Sequence, residues 1–105
     1  MDDFKVLYRI LRVIYDAMEY DEFDYNAISP EVLGVSKRKR DALLMMLVDK
    51  GYIKGVQAMT VLSGDIVFSF EKHPMLTLDG LEYMHENSTL QKAARAAKGI
   101  ADIIS

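Results

Sequence analysis

Residues 35–55 read VSKRKRDALLMMLVDKGYIKG, and this stretch decides the fold. Ser36 is a good side-chain N-cap, and Gly51 stands where a helix terminates in the left-handed conformation. At about 3.6 residues per turn, Arg40, Leu43, Leu44 and Leu47 fall on one face. Arg38, Asp41, Ala42, Met45 and Asp49 fall on the opposite face, with Lys37 and Lys39 flanking the two. The spacing predicts a helix over residues 36–50 that buries its leucine face. Arg40 is the anomaly, because its position calls for an apolar residue. Its aliphatic stem can lie on the core while the guanidinium reaches water or meets a carboxylate.

Upstream, apolar residues at three- and four-residue steps predict a helix over residues 2–20. Phe4, Leu7, Leu11, Ile14 and Met18 form one stripe, and Val6, Ile10, Val13 and Ala17 form a second beside it. The acidic, aromatic stretch Tyr20–Asn26 reads as a solvated loop, without the glycine and terminal glutamate of a calcium-binding loop. Ser29-Pro30-Glu31 reads as a cap with proline in the first turn of a short helix, and Gly34 stops it.

Downstream, Tyr52–Leu62 and Ile66–Phe70 are rich in β-branched and aromatic residues, and Ser63-Gly64-Asp65 between them signals a hairpin. Ile66, Phe68 and Phe70 share one face of the second strand, and Pro74 is expected to end the strand region. Thr77 caps a short helix over residues 78–86 that turns Leu81 and Met84 toward the core. A last helix is expected over residues 90–104, with Leu90, Ala93, Ala94, Ala97, Ile100, Ala101 and Ile104 as its apolar stripe. No repeat or linker divides the chain. The expectation is one domain, residues 1–105, with a core over about 2–87 and a C-terminal helix over about 89–105.

Helix, short helix, helix and two-stranded hairpin is the order of a winged helix-turn-helix domain. Leu33-Gly34-Val35-Ser36, then Leu43-Leu44, Leu47 and Lys50-Gly51-Tyr52-Ile53, resemble the third helix and first wing strand of that superfamily. A narrower resemblance lies in Gly51-Tyr52-Ile53-Lys54-Gly55-Val56, Leu76-Thr77-Leu78-Asp79-Gly80-Leu81-Glu82-Tyr83-Met84 and Glu86-Asn87-Ser88-Thr89. These look like the YjcQ family, small winged-helix proteins of Gram-positive bacteria and their prophages. The resemblance covers nearly the whole chain. It implies an α+β winged helix-turn-helix fold, with a three-helix core, a hairpin wing and C-terminal helices. It also implies a phage-related setting, and says little about activity.

The composition narrows the function classes. The chain has 105 residues, no cysteine and a net charge of −3, which excludes a disulfide scaffold, a thiolate metal site and bulk electrostatic coating of nucleic acid. No apolar run approaches the roughly 20 residues of a membrane span, and the acidic start is unlike a signal peptide. A cytoplasmic protein without a membrane partner is expected. Charge is unevenly spread: residues 1–25 carry −4, 26–60 carry +3, 61–88 carry −4 and 89–105 carry +2.

A local basic site on an acidic body is therefore open. Lys37, Arg38 and Lys39, at the start of the candidate recognition helix, are placed to neutralise phosphates of double-stranded DNA, with Lys54 assisting from the first strand. Arg38 suits a bidentate contact to guanine. The competing reading is a solvated, solubilising face. Asp41 and Asp49 on the same side oppose phosphate contact, and the hairpin tip carries no base. Met45, Val48, Met59 and Val61 suggest instead an apolar contact patch for a protein partner. Ala97 and Ile104 mark the C-terminal helix as a candidate interface, packing within a monomer or against its copy in a homodimer. His73 and His85 stand in no nucleophile arrangement, so neither an enzyme, a metal site nor a cofactor is expected.

Overall fold

The computed structural model describes residues 3–87 of the chain. Helix α1 covers Asp3–Ala17. A loop follows, ending in a single 3₁₀ turn at Tyr25–Ile28. Helix α2 is the short Pro30–Leu33, and α3 covers Lys37–Asp49. Strands β1, Ile53–Thr60, and β2, Ile66–Leu76, form a two-stranded antiparallel hairpin. Residues 78–87 are helical up to the last described position and are called α4. The architecture is α+β: three helices, then a hairpin, then α4, with a core between them.

The helix ends are set by local chemistry. Asp24 accepts from the Asn26 amide to open the 3₁₀ turn. Ser29 Oγ accepts from the Val32 amide, and Pro30 fills the first helical position, where its missing N–H costs nothing. Gly34 closes α2 at φ +72°, and Gly51 follows α3 at φ +74°, both in the left-handed region. Ser36 Oγ accepts from the Lys39 amide at 3.1 Å and fixes where α3 begins.

The core joins Val6, Ile10, Leu11 and Ile14 of α1 to Leu33 of α2 and to Leu43, Leu44 and Leu47 of α3. Ile28, Ile53, Val56, Leu76 and Met84 close it from the loop, the hairpin and α4. Each such side chain, fully buried, contributes roughly 1.5–3 kcal/mol. The leucine face of α3 and the inward Met84 match the sequence expectation. The first stripe of α1 does not survive whole: Phe4 is 63% exposed and Met18 is 39% exposed. The buried positions, Val6, Ile10, Leu11 and Ile14, come from both expected stripes and keep to the middle of the helix, whereas its two ends overhang the core.

Pro74 does not end the strand region. The register runs Thr60↔Ile66 through Val56↔Phe70, then shifts so that Lys54 faces Met75 and Ile53 faces Leu76. Several β2 residues bulge opposite Gly55, and pairing resumes beyond Pro74, whose missing N–H falls in the irregular stretch. Gly55, at φ +82°, lies where an added Cβ would be 2.9 Å from the Pro74 Cα. Phe23 stacks on Phe70 at 5.6 Å and Tyr25 meets the same ring edge-on at 5.0 Å, tying the acidic loop to β2. Tyr52 stacks on Tyr83 at 4.8 Å, and the Thr77 amide donates to the Tyr52 carbonyl, which seats α4 beside the start of β1.

Candidate functional site

The start of α3 presents four consecutive bases in one turn. Helical geometry sends them in different directions. Arg40 points inward and is 4% exposed. Its Nε donates to Asp41 Oδ1 at 2.8 Å, one Nη donates to the Ile28 carbonyl at 3.4 Å, and the guanidinium lies 5.9 Å from the centre of the Phe68 ring. The expected core-facing stem and carboxylate partner are both present.

Asp41 is the correction. Helical spacing puts it on the exposed face, yet it is only 7% exposed. A buried guanidinium needs an anion beside it, and the next residue supplies one. The two oxygens of Asp41 are divided between two cations: Oδ1 takes Arg40, and Oδ2 takes Lys37 Nζ at 2.8 Å. The hydrogen bond to Asp41 and its negative charge raise the pKa of Lys37 above the ordinary lysine value. That contribution to stability is complete below the unfolded lysine pKa and is lost only as pH rises through the raised one. Asp41 is therefore neutralised within the fold and does not project its charge outward.

Lys39 leans the other way. Its Nζ lies 3.3 Å from Asp3 Oδ2 at the start of α1, with both side chains about half exposed. Arg38 stands between the two lysines and has no ion-pair partner among the described residues. Arg38, Ala42 and Met46 form one exposed row at four-residue steps. Shallow grooves flank it. One is lined by Lys37, Asp41 and the hairpin turn Gly64–Ile66, the other by Asp3, Lys39, Leu43 and Met46.

Lys54 is exposed but stands apart from this cluster. The hairpin turn lies against the start of α3, whereas β1 begins just beyond its C-terminal end. About 20 Å of helix separates those two ends. Met45 and Val48, expected in an exposed patch, are half-buried, with Val48 packed on the core; the exposed methionine is Met46, at 56%. Met59 and Val61 are exposed as expected. Ala97 and Ile104, and the C-terminal interface they mark, lie outside the described residues.

The hairpin tip is the second notable surface. Met59 and Val67 face each other across its outward side, Val61 continues the strip, and Leu62 in the turn is fully exposed. Residues 55–70 carry a single charge, Asp65. Among the described residues no group of histidine and carboxylate side chains could hold a metal ion, and no helix is long and apolar enough to cross a membrane.

Two features escaped the sequence reading for different reasons. The Lys37–Asp41 pair has the i,i+4 spacing of helix ion pairs and was legible in principle. The Asp3–Lys39 contact joins residues 36 apart in sequence and leaves no local signal. The family profile described as YjcQ protein matches residues 8–103. No curated protein and no solved structure matches the chain.

Proposed function

The chain belongs to the YjcQ family, and on that premise we propose that it is a small, non-enzymatic winged-helix protein that binds double-stranded DNA as an accessory regulator. The order α1, α2, α3, hairpin supports the winged-helix reading, with α3 as recognition helix and β1–β2 as wing. The observation that carries the DNA reading is Arg38, without an ion-pair partner among the described residues, on the exposed row of α3 with Lys37 and Lys39 on either side. A helix so equipped can aim one guanidinium at base edges and one lysine at each bordering phosphate strand. Lys54 is left out of the contact set.

The lysines are held by the protein's own acids, yet both remain largely open to water: the Lys37 side chain is 68% exposed and that of Lys39 is 48% exposed. A phosphate can replace Asp3 beside Lys39, and Lys37, with three donors, can meet a phosphate while still donating to Asp41. The salt dependence of duplex binding tests this directly. Two phosphate contacts, from Lys37 and Lys39, give a log–log slope near −1.8, whereas lysines that stay clasped leave the slope near zero. Replacing Lys37 and Lys39 together flattens the steep slope by about 1.8. Undetectable binding at low salt overturns the proposal.

One observation favours a second reading, a protein-contact module on the same scaffold. The outward side of the hairpin, with Met59, Val61, Leu62 and Val67 exposed and no base among residues 55–70, suits an apolar protein surface better than a minor groove. Leu62→Ser separates the readings. Loss of a partner with DNA binding unchanged assigns the hairpin to protein contact.

A further inference from the structure

We propose that the exposed row Arg38, Ala42 and Met46 sets a sequence preference, with Arg38 on a guanine and Ala42 and Met46 against thymine methyl groups in the major groove. The inference rests on the DNA reading above. The three residues lie on one ridge of α3, each step rising about 6 Å. A base pair rises about 3.4 Å, so each step spans about two base pairs when the helix follows the groove. The guanine and the first thymine then lie about two base pairs apart, with the second thymine about two further on.

The chemistry of each position restricts what it can meet. Arg38 offers a fork of donors, which matches the paired acceptors of guanine. Ala42 has only a methyl group, and its small size lets the backbone of α3 approach the groove floor. Met46 carries a thioether, a weak acceptor at best. The apolar feature available on the major-groove floor is the thymine methyl. Met46 is more than half exposed although the buried face of this helix is filled by Leu43, Leu44 and Leu47, so packing among the described residues does not account for it. Duplex DNA is favoured over a protein as occupant of this face because Lys37 and Lys39 flank the row where the phosphate strands would run. Asp49, exposed at the far end of α3, limits the footprint to these two turns.

The test uses the full chain. Sequences bound from a pool of random duplexes are expected to be enriched in a guanine followed by thymines at those offsets. The selected duplex is then made twice, with thymine and with deoxyuridine, which lacks only the methyl. The deoxyuridine copy is expected to bind about fourfold more weakly for each methyl contacted. Met46→Gln, at an exposed position whose folding circular dichroism verifies, is expected to reduce that difference and to leave the salt slope unchanged. Equal binding of the two copies with the salt slope intact overturns the base-reading row and leaves the DNA reading standing. Failure to bind any duplex overturns both.

Discussion

Asp41 and Arg40 are neighbours in sequence, yet they enter the fold with unequal support. Asp41 has two cations, one buried and one at the surface, while Arg40 relies on Asp41, the Ile28 carbonyl and the Phe68 ring. Removing one partner of a buried pair strands the other, at a cost of about 3–5 kcal/mol. Asp41→Ala strands Arg40, whose side chain is 5% exposed, and is expected to show that full loss in urea unfolding. Arg40→Met leaves Asp41 with Lys37 and a path to solvent, and supplies apolar volume where the stem lay. Its loss is expected to be clearly smaller. Equal losses for the two variants refute the asymmetry, and with it the account of why Asp41 turns inward.

At the scale of elements, the hairpin depends on its glycines in two different ways. Gly55 and Gly64 both have positive φ, +82° and +88°. A Cβ at Gly64 would meet nothing within 4 Å, whereas at Gly55 it would press on the Pro74 backbone at 2.9 Å. Gly64→Ala is expected to cost only the backbone strain, about 1–2 kcal/mol. Gly55→Ala is expected to cost more, because the bulge in β2 has to move as well. Thermal unfolding of the two variants checks the order, and Gly64→Ala proving the worse refutes it. The same bulge shows what sequence reasoning misses. Caps at Ser29 and Ser36 and stops at Gly34 and Gly51 were legible because each acts through residues within a turn of itself. The continuation of β2 past Pro74 was not, because it depends on pairing with Ile53 and Lys54, more than twenty residues earlier. Likewise, Phe4 and Met18 have the right period to be buried, but period cannot say where a helix overhangs its core. At the candidate site, the direction of Arg40 followed from its place on the leucine face. The inward turn of Asp41 followed only from what surrounds Arg40.

For the whole molecule, a net charge of −3 means that any attraction for DNA is local and short in range, within about 10 Å at 0.1 M salt. The basic turn of α3 is further muted by two acids, Asp41 of α3 itself and Asp3 of α1, of which Asp3 is separable from the fold. Asp41 is needed by Arg40, but among the described residues Asp3 pairs with Lys39 alone, in an exposed pair of the kind worth about 0.2–1 kcal/mol. Asp3→Asn therefore leaves stability nearly unchanged while releasing one cation for a phosphate. The variant is expected to bind duplex DNA several-fold more tightly at low salt. Where Lys39 stays clasped in the parent, the log–log salt slope steepens by about 0.9 as one contact is added. Lys39→Ala made on top of Asp3→Asn is expected to reverse both changes. If Asp3→Asn alters neither affinity nor slope while the parent protein binds, Lys39 does not face the duplex, and the contact set shrinks to the hairpin side of α3.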